Sequence, residues 1–363
     1  MTHIEPDPVP TVRPLRRIPP PGPAAAPDRP AGPTTLRSVE DVLAYVPVLF
    51  GFRPAASLVM LTVGAPRNFH ARLDLGPRPG LTARQTLVAD VDELVRIARR
   101  HGAPRLLFVV YTDDPRLARR VCERLETVLA RTEVRIVDVV RADGDRWWPL
   151  VGPARALVPP DGHEVDLRGH PLLAEAVLRG EVVLGSREEL AASLAPVPSR
   201  SAPVADRLEP RPTRTPSPAP PEHLETLGLM IDWVADLVGR CVADQPLASP
   251  ERDWRPTDDE VSELLVALHW PQVRDAAMTG LDRGSARAHL RLWREVLQRT
   301  PQPWAAEPAA LLALAAWHSG HGALAWCAVD RARSVDPEHG LAGVVAHLLE
   351  HAAPPPQEGL FPA

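Results

Sequence analysis

The chain contains no lysine: all 41 of its Lys+Arg side chains are arginine, and asparagine occurs once, at Asn68. Schiff-base catalysis on an ε-amine and the lysine-bearing phosphate loop are thereby excluded. Cysteine is scarce too. Cys122, Cys241 and Cys327 are widely spaced and odd in number, which argues against a disulfide framework and for a reducing, cytoplasmic compartment. No run approaches the ~18–20 uninterrupted apolar residues of a membrane span, and the first residues offer prolines and acids where a secretory signal needs an apolar stretch. A net charge of −5 gives the molecule as a whole no pull toward nucleic acid or an anionic membrane, and neither is expected as a partner.

Proline is what the chain has in excess. Of 44 prolines, eleven lie in residues 1–33 and nine in residues 196–221. Fixed φ, missing donors and few apolar groups keep such stretches from packing a core. The expectation is a disordered arm at 1–33, an extended linker at 196–221 and a disordered tail at 354–363. The 363 residues leave room for two domains between them.

The block 34–195 reads as α/β. Ser38 followed by Asp41 is a helix start. Ser57–Val63 is apolar and β-branched, and Phe69–Asp74 alternates, so the two predict a hairpin with one wet strand. A helix is expected at 83–100, and Leu106–Val110, apolar on both faces, reads as a covered central strand. Asp114-Pro115 then opens a helix, 134–140 forms a strand, and Asp143-Gly144 turns it into a returning strand at Arg146-Trp147-Trp148. The sum is β-β-α-β-α-β-β, a mixed sheet with flanking helices, followed by helices at 171–179 and 186–194. The block 222–353 reads as all helix, with helices near 258–268, 285–299, 306–318, 322–334 and 339–351 after a first one from Leu224. It holds 11 arginines against 19 acidic residues, whereas 34–195 holds 22 against 21. An acidic helical domain beside a neutral α/β domain is therefore expected.

Few motifs carry chemistry. Residues 306–339 partly resemble a tetratricopeptide unit through Leu312, Ala313, Gly320, Ala325, Ala332 and Pro337, but no second copy follows, and a plain helical hairpin accounts for them. His318/His321 and His347/His351 have metal-like spacings without a completing ligand, so no metal site is expected. No cofactor motif is present and none is assigned. Tyr111-Thr-Asp-Asp-Pro115 leaves the C-terminal end of the central strand, where ligands bind in α/β sheets. Asp113 and Asp114 are therefore candidate site residues, although Asp114 as a helix cap is the simpler account. Asp138 lies among apolar strand residues, where a lone carboxylate is costly. Arg146 is expected to satisfy it across the hairpin, with Trp148 completing either a binding surface or a structural cross-strand cluster.

Several segments in order resemble one family. Val46-Pro-Val-Leu-Phe-Gly-Phe-Arg-Pro54 with Ser57-Leu58-Val59, then Asp143-Gly144-Asp-Arg146-Trp147-Trp148, Ser186-Arg187-Glu188, and Ala316-Trp317-His-Ser-Gly320 through Asp336-Pro337 are similar to the motifs of the domain of unknown function 4192. The resemblance spans roughly residues 36 to 350 and implies an actinobacterial source, in keeping with a GC-rich composition; it implies no activity. Ala56 stands where the family often has an acidic residue, and 151–160 lacks the cysteines many members carry.

Three functions remain open at this stage. The first is an interaction or regulatory protein whose acidic helical domain docks a protein partner. The others are an enzyme with a site at the strand ends around Asp113, Asp114 and Asp138, and a small-ligand sensor whose receptor is the α/β domain. The residues leave the oligomeric state open.

Overall fold

The computed structural model describes residues 36–65, 69–152, 155, 158–178, 181–208, 224–242 and 255–356. The proline-rich arm at 1–33, the 209–221 part of the expected linker and residues 357–363 of the tail lie outside the described residues. The chain divides into two compact units between Val183 and Leu184.

In the first unit, Ser38 and Asp41 form a capping box. Asp41 N donates to Ser38 Oγ (3.1 Å) and Ser38 N donates to Asp41 Oδ2 (3.2 Å). Helix α1 (Val39–Phe50) follows and ends at Gly51, whose φ of 76° suits a residue without a Cβ. Then come β1 (Ser57–Val63), β2 (His70–Asp74), α2 (Ala83–Arg100), β3 (Arg105–Tyr111), α3 (Pro115–Leu129), β4 (Arg135–Ala142), β5 (Arg146–Pro149), β6 (His163–Glu164) and α4 (Pro171–Leu178). Strand order is β2-β1-β3-β4-β5-β6, with β3 and β4 parallel and the other described pairs antiparallel.

The mixed sheet with helices on both faces matches the architecture read from the residues; β6 is an addition too short to show as a pattern. All of β1 and all but the first residue of β3 are buried, because both faces are covered. Val91 and Leu94 of α2 and Val121 and Leu125 of α3 pack with Leu58, Phe108 and Val139 on one face. Val42, Leu43 and Val46 of α1 pack with Val59, Val109 and Val140 on the other, where Leu172 of α4 joins them. Ala56, at the entrance to β1, adopts φ 43°, a region in which aspartate or glycine is more at ease than alanine.

The second unit is helical among its described residues. It contains α5 (Arg187–Ala192), α6 (Pro198–Ala205), α7 (Leu224–Val242), α8 (Asp258–Ala267), α9 (Pro271–Ala277), α10 (Ala286–Arg299), α11 (Ala306–His318), α12 (Gly322–Arg333) and α13 (Gly340–Glu350). Every residue of α11 except Glu307 is buried. Its alanines let α10, α12 and α13 close around it, so α11 is the central helix of this unit.

The boundary read from proline content needs correcting. Residues 184–195 pack with the helical unit, and the start of the expected linker is helix α6 instead of extended chain. Pro198 sits in the first turn of α6, where its missing N–H costs nothing. Val204 is wholly buried, Val197 N donates to Gln298 O (2.8 Å), and Arg200 pairs with Glu295. Proline density alone could not reveal that a short helix has a packing partner about a hundred residues later.

Candidate functional site

The parallel strands β3 and β4 end side by side, and Thr112 N donates to Ala142 O (2.9 Å). From there β3 runs into α3 through Asp113 and Asp114. Asp114 caps α3: its Oδ1 accepts from Arg116 N (2.7 Å), and backbone hydrogen bonds from Leu117 and Arg116 hold its carboxyl below the usual range. Asp113 is exposed on the turn. The β4–β5 turn is tight. Asp143 N donates to Arg146 O (3.1 Å), Asp143 Oδ1 accepts from Arg146 N (2.9 Å), and Gly144 takes φ 109°.

The expected Asp138–Arg146 pair does not form. In this hairpin Ala142 faces Trp147, Arg141 faces Trp148 and Val140 faces Pro149, so Asp138 lies several residues up the strand from any partner of Arg146. A register shift beside Leu106/Leu107 leaves Val137 as an extra residue in β4 and breaks the alternation. Ile136 and Val139 pack on one face, Val137 and Val140 on the other, so Asp138 does not share a face with both Ile136 and Val140. Its Oδ1 accepts from the adjacent Val139 N (2.8 Å), and burial raises its carboxyl above the ordinary value. Arg146 instead anchors the segment before β6. Its Nη1 donates to Asp161 O (3.0 Å), and its Nη2 approaches Glu164 Oε1 at 3.4 Å.

The residue that this register brings to Trp148 is Arg141. Its guanidinium carbon stands 3.5 Å from the Trp148 ring centroid. Arg141 is 8 % exposed, and its buried Nε has no hydrogen-bond partner. Burial lowers its pKa, opposed by the charges of Asp143, Asp113 and Asp114. Among the described residues no carboxylate forms an ion pair with it.

Arg141 and Trp148 line a cleft of about 670 Å³ between β4–β5, α3, Arg155 and residues 158–160. Helix α3 contributes Arg119, Cys122, Glu123 and Glu126, and Arg155, Pro159 and Pro160 line the opposite wall. Trp148 is fixed from behind: its Nε1 donates to Pro160 O (3.3 Å), and Gly162 at φ 74° fits against the indole where a Cβ would collide with Cε2, Cζ2 and Nε1. Cys122 is no nucleophile at neutral pH, since burial pushes its thiol up to about 11.

Of the residues singled out in the sequence, Trp148 lines the cleft directly. Asp113 and Asp114 flank its arginine, Arg146 holds the segment closing it, and Asp138 stands apart. Arg141, Arg119 and Gly162 were missed. For Arg141 the sequence signal pointed elsewhere, because an Asp143-Gly144 loop places residue 141 opposite 146, whereas the observed loop centred on Gly144-Asp145 places it opposite 148.

His347, Glu350 and His351 gather ligand atoms within 4.8 Å at the exposed end of α13, without a further described ligand. No helix among the described residues is long and apolar enough to cross a membrane.

The family model described as Domain of unknown function (DUF4192) matches residues 40–356, which bears out the resemblance of the ordered motifs. The comparisons with curated proteins and with solved structures each returned no match.

Proposed function

This chain belongs to the DUF4192 family, a family of unknown function, and on that premise we propose that its α/β unit is a receptor for a small ligand bearing a carboxylate or phosphate group. The observation that carries the reading is Arg141, 8 % exposed, its guanidinium stacked on Trp148, its buried Nε unbonded and without a described acid partner, at the wall of an open cleft. Arginine held this way is suited to bidentate capture of a planar carboxylate or a phosphate. Leaving a buried guanidinium short of hydrogen bonds is unfavourable, and an anion that completes them binds the more tightly for it. Arg119 and Arg155 add positive charge, while Glu123 and Glu126 on the α3 side disfavour ligands that are anionic throughout. Binding is favoured over covalent catalysis because the cleft's thiol stays protonated at neutral pH. A cytoplasmic setting is supported by three buried cysteines, none of them in a disulfide.

The test is thermal unfolding of the full chain with inorganic phosphate, succinate, citrate and adenosine monophosphate, each titrated separately. A ligand at about 100 times its Kd stabilises by about 2.7 kcal/mol, a clear rise in Tm. The rise is expected for at least one anion and should vanish in Arg141→Met and Trp148→Ala. No rise with any of them, or an equal rise in Arg141→Met, overturns the reading.

A further inference from the structure

The helical unit carries a second hollow, independent of the cleft. Helices α7 and α8, with the end of α6, enclose a groove of about 430 Å³. Its walls are mainly apolar, formed by Leu208, Leu229, Met230, Trp233 and Val266. Leu229 is 71 % exposed and Val266 45 %. Scattered apolar residues on a surface need no explanation, but a patch continuous across two helices and facing a hollow marks a binding surface.

The rim is acidic. Glu225 and Asp232 stand at i−4 and i+3 from Leu229 on α7, and Glu263 stands three residues before Val266 on α8. All three are exposed, and none makes a hydrogen bond or ion pair with the described residues. The nearby cations are already engaged: Arg207 by Asp259 and the Pro203 carbonyl, Arg240 by Asp236 (3.0 Å) and Glu260 (2.9 Å).

We propose that this groove receives an amphipathic helix of another protein, with an apolar stripe flanked by arginine or lysine. The groove follows α7 from Thr226 to Trp233, about 10 Å at 1.5 Å per residue, the span from i to i+7 on an incoming helix. Charge complementarity selects the partner. A two-fold dimer through this face would set each acidic rim against its own copy, and anionic lipid or nucleic acid would meet the same repulsion.

The experiment uses the full chain and a fluorescein-labelled 18-residue helical peptide with leucines at i, i+4 and i+7 and arginines beside them. The control peptide replaces the arginines with glutamates. Anisotropy should show saturable binding of the arginine peptide alone. Leu229→Asp and Val266→Asp, at exposed positions, should each weaken it about tenfold or more, with circular dichroism confirming unchanged folding. Asp232→Asn combined with Glu263→Gln should weaken it about threefold and flatten its salt dependence. Equal binding of the glutamate peptide, or no effect of Leu229→Asp, overturns the proposal. So does a dimer in sedimentation velocity that Leu229→Asp abolishes, which would assign the groove to a second copy.

Discussion

The two units treat buried charge differently. In the helical unit, Glu307 at the start of α11 meets Arg274 of α9 at 2.9 Å and His339, just before α13, at 3.0 Å. Arg299 of α10 reaches Asp258 and Glu295, and Arg200 of α6 also meets Glu295. The Glu307 contacts, Arg299–Asp258 and Arg200–Glu295 join separate segments, while Arg299–Glu295 lies within α10. In the α/β unit, buried Arg141 and half-buried Asp138 have no ion partner among the described residues, and Arg141 lines an open cleft. The contrast is of degree, since Arg294 and Arg331 of the helical unit also keep unbonded Nε atoms. Its lesson is about where binding capacity resides. A charge already matched by its own fold braces the structure, whereas an unmatched one beside a cavity leaves hydrogen-bonding capacity open, at some expense in stability.

The largest effect that tests this contrast is expected at Glu307. Burial alone would raise its pKa, yet His339 and Arg274 outweigh burial and hold it below the ordinary value. Glu307→Ala strands both partners and should cost about 3 kcal/mol in urea unfolding. A loss under about 1 kcal/mol would rank the triad with surface pairs and erase the difference between the units.

Acidification should weaken both units. Burial lowers His70 in the first and His289 in the second to about 4. Each is neutral when folded, whereas its unfolded counterpart takes up a proton near pH 6.5. The unfolded state therefore binds more protons between pH 6.5 and 4, so stability is full above that window and falls through it. The loss is at most about 3 kcal/mol per histidine. His70→Phe should flatten the acid slope of the α/β unit and His289→Leu that of the helical unit. An unchanged slope in either variant would show that the histidine is solvated. Glu307, with its depressed pKa, adds stability above pH 4.5 that is lost as pH falls further.

A smaller effect, of opposite sign, is expected at Arg141. Arg141→Met keeps apolar packing on Trp148 and removes an unpartnered buried cation, so the ligand-free protein should gain about 0.5–1 kcal/mol. A loss of more than about 1 kcal/mol would make Arg141 a brace and align the two units. The smallest effect is the coupling between Asp138 and Arg146. Because their side chains do not meet, the double-mutant cycle with alanine at each should be additive within about 0.5 kcal/mol.

Much of the fold was legible in the residues. The capped start at Ser38, the largely apolar β1 and β3, and the proline-led α3 each carry a local signal whose physics does not depend on distant contacts. In the helical unit, α11 was read to its bounds, because a run of alanine and leucine between Pro301 and Gly320 has no competing conformation. Helix α6 and the two-residue β6 were not legible. Their own sequences are too short and too rich in proline or polar groups to favour a structure before α10 or β5 is beside them.

The candidate site divides in the same way. Asp114 as a cap, and the hairpin that carries Trp148, follow from side-chain hydrogen bonding and turn chemistry within a few residues. The cleft does not. The extra residue in β4 alters which side chains share each face, and α3, Arg155 and residues 158–160 supply the other walls from elsewhere in the chain. By itself, then, the sequence determined the two kinds of unit and the order of their elements, since periodicity, capping and turns are local. Only the tertiary structure decided that Asp138 would be left apart and Arg141 placed against Trp148, because a strand's register and a cavity's walls are set by packing between distant segments.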